Sequence, residues 1–152
     1  MRLHFIKSSE KRRLVEELEL IYGIEKVPYL LLETGKQKLR GFSGSLSKDE
    51  IKELSHIIRV EVIGLYLFSK RDEDIRISFD SISLLRDKIK KSTLEITEEQ
   101  LHKWLRGNDL EIKVPSGIVV IKQKDDLFGI GKSNGEKIFN YVPRERTLKN
   151  QS

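Results

Sequence analysis

The chain has 152 residues, a formal net charge of +5 at pH 7 and no cysteine. This length allows one medium domain or two small ones, and the lack of cysteine excludes disulfides, thiolate metal sites and a cysteine nucleophile. No stretch is long and apolar enough to cross a bilayer, and the first residues lack the pattern of a secretory signal. We therefore expect a cytoplasmic protein without a membrane segment, and the basic surplus favours a polyanionic partner.

The first half of the chain predicts a mixture of short helices and strands. Apolar residues recur at helical spacing between residues 10 and 22, which predicts an amphipathic helix that ends at Gly23. A capping-box pattern at residues 47–50 predicts a second helix, to about residue 58. Strands are predicted by apolar, aromatic or alternating residues at 29–32, 38–42, 60–68 and 75–79, followed by a short helix through residue 89.

The pattern changes at residues 88–92, a basic and polar run. We take this run as the linker between two α+β halves, residues 1–91 and 92–152. A capping box at residues 97–100 predicts a helix that ends at Gly107. Further strands are predicted at 110–114, 117–124, 127–133 and 136–141, with turns at Asp125-Asp126 and Asn134-Gly135.

Two motifs stand out in the second half. The capped helix ends in the segment Trp104–Leu110, and the segment Val114–Val120 follows, with a glycine turn at Gly107 and a second glycine, Gly117, at the start of a strand. This order resembles the PUA domain, a small pseudo-barrel that binds RNA in many modification and ribosome-assembly proteins. The resemblance implies a PUA-like β pseudo-barrel over residues 92–152.

The last hairpin carries a second resemblance. Residues 128–132, then Gly135, then residues 140–145 are similar to the PUA-like tail of Sun-family RNA 5-methylcytosine methyltransferases, which typically runs Gly-x-x-Lys, Gly, and then Asn and Tyr before Pro-Arg/Lys-Glu. The sequence departs from that pattern because Phe139 stands where a lysine is common and Tyr141 lies one position early. The methyltransferase domain of that family has no counterpart here, since there is no glycine-rich cofactor loop and no cysteine for the covalent step.

The first half resembles the domain that precedes PUA in small proteins needed for assembly of the large ribosomal subunit. The order of helix, hairpin, helix and strand pair matches. The combined resemblance implies an archaeal-type ribosome-biogenesis protein that is not an enzyme and binds rRNA or tRNA, with ribosome-assembly or RNA-modification proteins as further partners. Two alternatives are an RNA-binding accessory subunit of an RNA-modifying enzyme and a protein-interaction module with incidental RNA contact.

The candidate RNA-binding residues are cations and one tyrosine near the end of the predicted helix and along the last hairpin and tail. Cationic donors in a row suit an RNA backbone, arginine can also clamp a phosphate or stack on a base, and Tyr141 is the candidate for base stacking. The alternatives are a solvated basic edge and, for the two helix cations, an interaction with the helix dipole. The set is Lys103, Arg106, Lys132, Lys137, Tyr141, Arg144, Arg146 and Lys149.

We predict no catalytic residue, metal site, nucleotide site or cofactor. The run Gly129–Lys132 does not fit a phosphate loop, because a turn and a strand follow it instead of a helix. Its glycines would admit either an RNA backbone or a neighbouring strand. The three histidines, His4, His56 and His102, have no second ligand at metal-binding spacing. A small hydrolase is the alternative from another class, and it would need a deep cavity that brings Ser43, His56 and a carboxylate together.

Overall fold

The computed structural model describes residues 4–35, 37–42, 48–50, 53, 65–71 and 74–148. The first half contains β1 (His4–Phe5), α1 (Ser8–Tyr22), β2 (Leu30–Thr34), β3 (Lys38–Phe42), β4 (Leu65–Arg71) and β5 (Asp74–Ile77). The second half contains β6 (Thr93–Glu95), α2 (Glu98–Leu105), β7 (Gly117–Gln123), β8 (Asp126–Ser133) and β9 (Ile138–Asn140). Single 3₁₀ turns form at Phe79–Ser81, Arg86–Lys88 and Arg144–Arg146.

The first five strands form an antiparallel sheet in the order β1-β2-β3-β4-β5. The helix α1 buries Leu14, Leu18 and Tyr22 on one face, as its spacing predicts, and ends at Gly23 in the left-handed conformation (φ 71°). Residues 48–50 and 53 are helical, while the rest of the predicted second helix and the first part of the predicted strand 60–68 lie outside the described residues.

The predicted short helix through residue 89 is wrong. Two 3₁₀ turns form there instead. The hydroxyl of Ser78 donates to the Tyr66 carbonyl (2.6 Å), and that of Ser81 donates to the Leu67 carbonyl (3.2 Å). These bonds attach the segment to β4, and serine side chains that bond to a neighbouring backbone in this way compete with α-helix formation.

The other four strands form a second sheet in the order β6-β7-β8-β9. Strand β6 was not predicted; it is three residues long and runs parallel to β7. The predicted strand 110–114 is wrong except at Leu110, which bridges Ile138. The tight turn between β7 and β8 comes at residues 124–125, one position earlier than predicted.

The capping box that opens α2 is confirmed. The Gln100 backbone N–H donates to the Thr97 hydroxyl (3.1 Å), and the Thr97 N–H donates to the Gln100 side chain (2.8 Å). Trp104, on the buried face of this helix, is fully enclosed, and its indole N–H donates to the Phe128 carbonyl at 2.7 Å. Trp104 is therefore a core anchor of the second half.

The two sheets share an apolar cluster, while a separate cluster around Trp104 lies within the second half. A cluster of buried side chains runs from Leu18 and Tyr22 on α1 through Phe68 on β4 to Val120 and Ile130 on the second sheet. The predicted linker is held against this core: the Lys90 and Lys91 N–H groups donate to the Tyr22 carbonyl (2.8 and 2.9 Å), and the Ser92 hydroxyl donates to the Ile21 carbonyl (2.6 Å). The fold is α+β, as the sequence predicts, and no helix among the described residues is long and apolar enough to span a membrane.

Candidate nucleic-acid interface

The residues predicted to contact RNA divide between two surfaces. Lys103, Arg106 and Lys137 lie around the C-terminal end of α2, and the segment that carries Arg144 returns to the same place, because the Leu148 N–H donates to the Leu105 carbonyl (2.7 Å). We call this the α2-end surface. Lys132, Tyr141 and Arg146 instead face the first half of the chain. Lys149 lies outside the described residues.

Three cations of the α2-end surface have no carboxylate partner among the residues that the structure describes. Lys103, Arg106 and Arg144 are exposed, and no ion pair joins them to any residue in the described part of the chain. Their charges are thus available to an external anion. Lys103 also lies in the last turn of α2, where its positive charge interacts favourably with the negative end of the helix dipole.

Lys137 links this surface to the last hairpin. Its Nζ atom lies 3.6 Å from Oδ2 of Asp109 and 4.7 Å from the centre of the Phe139 ring. Phe139 is 37% exposed, so it offers an aromatic face beside a cation. The amide of Asn140 donates to the Trp104 and Asn108 carbonyls (2.9 and 3.1 Å), which fixes the hairpin against the end of α2.

The second group of predicted residues makes specific contacts with the first half. Lys132 Nζ lies 2.6 Å from Oδ2 of Asp74, and this hydrogen bond raises the pKa of the lysine. Arg146 donates to Oδ2 of Asp80 at 2.9 Å. A carboxylate therefore already matches the charge of each cation. An external anion that bound either cation would have to share it with that carboxylate.

Tyr141, the predicted stacking residue, lies against Arg76. The guanidinium carbon of Arg76 is 3.9 Å from the centre of the tyrosine ring, at which distance a cation–π contact forms. The sequence analysis did not select Arg76. A signal was present, because Arg76 lies between the buried Ile75 and Ile77 on β5, and its side chain must therefore point to the opposite face of the strand.

The contact between Arg76 and Tyr141 borders a cleft of about 340 Å³ between the two sheets, which we call the inter-sheet cleft. Its wall contains a second cation near a ring, because Lys38 Nζ lies 5.4 Å from the centre of the Tyr66 ring. The sequence analysis did not select Lys38 or Tyr66, since nothing in their local pattern differs from an ordinary strand. The charged and aromatic residues that line the cleft are Lys38, Tyr66, Arg71, Arg76, Phe79, Asp80, Tyr141, Glu145 and Arg146.

The glycines of the run Gly129–Lys132 are packed against protein atoms. A side chain at Gly131 would meet the Trp104 ring at 2.7 Å, and one at Gly129 would meet Val142 at 2.9 Å. The neighbouring strand and ring thus occupy the space that an RNA backbone would need. Of the two roles predicted for these glycines, close packing within the fold is the one that the structure supports.

The described residues contain no group of three or more histidines and carboxylates placed to hold a metal ion. The alternative catalytic site falls on Ser43 and His56, which lie outside the described residues. The geometry that the structure does describe consists of exposed cations, cation–ring pairs and a polar cleft. Such groups bind polyanions by ionic and stacking contacts.

Comparison with known proteins agrees with this arrangement. Residues 91–148 match the family model described as the methyltransferase RsmF PUA domain. The chain is similar to ribosomal RNA small subunit methyltransferase F from Photobacterium profundum (29% identical over 90 residues) and from Shewanella woodyi (28% over 91 residues). Each match covers 58% of this chain but only 19% of the methyltransferase.

A solved structure, that of a conserved PUA domain protein from Thermoplasma acidophilum, has a similar fold. Its TM-score is 0.57 at 18% sequence identity, and the superposition covers 89% of this chain and 82% of that chain. The likeness therefore extends through the first half as well as the second. PUA domains are in general RNA-binding and non-catalytic, and residues 91–148 of this chain match a PUA domain that is related to those of rRNA methyltransferases.

Proposed function

We propose that this protein is a non-catalytic RNA-binding factor in ribosome biogenesis that holds structured rRNA against its α2-end surface. The observation that carries the proposal is the PUA match over residues 91–148, which include every cation of that surface. Lys103, Arg106 and Arg144 are exposed there and form no ion pair within the described ranges. A phosphate that binds such a cation does not have to displace an internal carboxylate first.

The chemistry of the surface suits recognition of shape more than of sequence. Lysine and arginine bind phosphate oxygens and release counterions, which gives affinity that depends steeply on salt. Helical RNA hides its base edges in a deep, narrow groove, so proteins recognise it largely through its backbone. Phe139 beside Lys137 adds one exposed ring on which an unpaired base at the edge of a helix could stack.

The test is RNA binding by the full chain over a range of salt concentrations, with a structured rRNA fragment as probe. We expect the K103A/R106A variant to lose about tenfold in affinity, and the slope of log K against log salt to fall by roughly one for each lost contact. The R12A/R13A variant is the matched control, because it loses the same charge from exposed positions on α1. An equal loss in both variants would show that only net charge matters and would contradict the site.

A second candidate function is that of an RNA-binding accessory subunit for an RNA-modifying enzyme. The similarity to the PUA regions of two rRNA methyltransferases favours it. Purification of the tagged chain from nuclease-treated lysate separates the candidates: a stoichiometric RNA-modifying enzyme would support the accessory role. Retention of a protein partner together with RNA binding that does not depend on salt would instead favour a protein-interaction module.

A further inference from the structure

The inter-sheet cleft brings cations and aromatic rings from both halves of the chain together. Strand register places Lys38, Ser69 and Arg76 side by side across β3, β4 and β5, since Lys38 pairs with Ser69 and Ser69 pairs with Arg76. With neighbouring strands about 4.8 Å apart, the two cations start roughly 10 Å from each other on one face of the sheet. Tyr141, from the second half, closes the cleft over Arg76.

Arg76 has an unused hydrogen-bond donor in this cleft. Its Nε atom is buried and has no hydrogen-bond partner among the described residues. Buried donors are nearly always paired, because an unpaired one loses its hydration without compensation. The guanidinium carbon meanwhile lies 3.9 Å from the centre of the Tyr141 ring. An arginine that rests on a ring and has a buried donor without a partner among the described residues fits a site that an external acceptor oxygen completes, provided that the oxygen reaches this buried atom.

The charge balance of the cleft favours an anion. Arg146 is matched by Asp80, which leaves Lys38, Arg71 and Arg76 against Glu145 as the one remaining carboxylate among the described lining residues. No ion pair joins these three cations to a carboxylate in the described ranges. Another groove, of about 400 Å³, is lined by Arg86, Lys90 and Lys122; there Arg86 is engaged with Asp87, the Asp125 carbonyl and Asp126, and Lys90 donates to the Asp87 carbonyl.

The shape and the rings of the cleft specify the anion further. Its volume of about 340 Å³ lies within the range of about 300–1,000 Å³ typical of pockets that enclose one small ligand. It is too small for an RNA helix. Tyr66 and the outer face of the Arg76 guanidinium are flat surfaces on which a base can stack, and stacking requires a base that is not paired in a helix.

We propose that the inter-sheet cleft binds one unpaired nucleotide of an RNA. Arg76, Arg71 and Lys38 hold its phosphate, and its base stacks on Tyr66 or on the Arg76–Tyr141 pair. The site rests on the proposed RNA-binding function and adds a second, single-stranded contact to it. The RNA helix lies on the α2-end surface while a nucleotide from an adjacent loop or end enters the cleft.

The experiment compares the full chain with R76Q, R71A and R86Q variants, using single-stranded oligouridine of roughly 12 nucleotides. We expect R76Q and R71A each to reduce affinity by about tenfold, since each removes a charge-assisted hydrogen bond, and R86Q to stay within about twofold of the wild type. R71A guards against a folding defect, because Arg71 is exposed and makes no ring contact with any described residue. Oligouridine containing 4-thiouridine should crosslink to residues of the cleft, above all Tyr66 or Tyr141.

Three results would overturn the proposal. One is wild-type affinity in both R76Q and R71A; another is crosslinks confined to the α2-end surface; the third is stronger binding of an acidic peptide than of oligouridine in the cleft. Uridine monophosphate, followed by NMR through the Tyr66 and Tyr141 ring signals, tests the cleft apart from the proposed function. If uridine monophosphate shifts those signals and the chain has no affinity for structured rRNA, the nucleotide site in the cleft is supported and the ribosomal role is rejected. If the chain binds rRNA and the signals do not shift, the ribosomal role is supported and the nucleotide site is rejected.

Discussion

The Nζ atom of Lys132 on β8 lies 2.6 Å from Oδ2 of Asp74 on β5, so this ion pair joins the second sheet to the first. Two other contacts cross the same boundary: Arg146 with Asp80 (2.9 Å) and Arg76 with Tyr141 (3.9 Å). The cations in these contacts have a structural role that is independent of any RNA. Substituting them changes how the two sheets are joined as well as the charge offered to a ligand, and experiments must separate these effects.

A double-mutant cycle on Lys132 and Asp74 measures that structural role. We expect K132M and D74N to show a coupling free energy of about 0.5–1 kcal/mol in urea unfolding, because the lysine side chain is 41% exposed and solvent screens the pair. Arg86 and Asp126 provide the control: they are 3.9 Å apart and more exposed, and their coupling should be close to zero. Equal coupling in the two pairs would show that the Lys132 contact is not specific.

The same coupling should disappear at alkaline pH. The hydrogen bond to Asp74 raises the pKa of Lys132 above its ordinary value of 10.5, so the folded protein keeps the proton at pH values where the unfolded chain has lost it. The stabilisation is complete below about pH 10.5 and is lost as the pH rises through the raised pKa. Repeating the cycle from neutral to alkaline pH checks this, and a coupling that is constant throughout would contradict it.

Tyr22 makes a separate prediction in the same range. Burial raises its pKa well above the ordinary 10.0, and its hydroxyl donates to the Ile75 carbonyl at 2.6 Å. Near neutral pH, Y22F should lower the free energy of unfolding by about 1–2 kcal/mol, since a buried hydrogen bond is lost. Above about pH 10 the unfolded wild type ionises at this residue and the folded one does not, so only the wild type loses stability through Tyr22. The difference in the free energy of unfolding between the wild type and Y22F should therefore decrease as the pH rises above about 10. An increase in that difference would rule out this explanation.

Gly131 should tolerate no side chain. A methyl group there would overlap the Phe139 carbonyl and approach the Trp104 ring at 2.7 Å, and both are held by the sheet and the core. We expect G131A to lower the free energy of unfolding by about 1–3 kcal/mol. Gly35 is the control, because a Cβ atom there would meet no described atom within 4 Å outside its chain neighbours, and its φ of +65° is one that asparagine accepts. G35N should change stability by less than about 0.5 kcal/mol in the same unfolding experiment.

The elements that the sequence predicted correctly are those with local causes. The capping box at Thr97 and Gln100 and the helix end at Gly23 each depend on residues within one turn of each other, and both form as expected. Strand β6 could not be predicted in this way, because three residues are too few to give a periodic signal and pairing with β7 is what holds them. The 3₁₀ turns after β5 likewise depend on hydrogen bonds from Ser78 and Ser81 to another strand.

The candidate sites follow the same rule. The cations near the end of α2 were found because they are close together in the sequence and the PUA resemblance marks that region. The inter-sheet cleft was not found, because Arg76 and Tyr141 are far apart in the chain and meet only when the two sheets pack. Composition could show that the chain is basic, but it could not show that carboxylates already neutralise Lys132 and Arg146.

Arg144 and Arg146 allow the structural and RNA-binding roles to be separated within one turn of the chain. Arg144 is exposed and has no ion pair within the described ranges, whereas Arg146 bonds to Asp80 across the two halves. We expect R144A to weaken binding of structured rRNA by roughly tenfold and to leave the melting temperature unchanged. R146A should instead lower the melting temperature by a few degrees, because an ion pair worth less than about 1 kcal/mol is lost.

Measuring rRNA affinity and thermal unfolding on the same two variants checks both expectations. D80N is the matched control, since it removes the partner of Arg146 and leaves the arginine charge in place. If RNA contact is what Arg146 contributes, D80N should bind at least as well as the wild type even though it is less stable. If R144A binds rRNA as tightly as the wild type, Arg144 does not contribute to RNA binding at the α2-end surface. Binding there would then depend on Lys103 and Arg106.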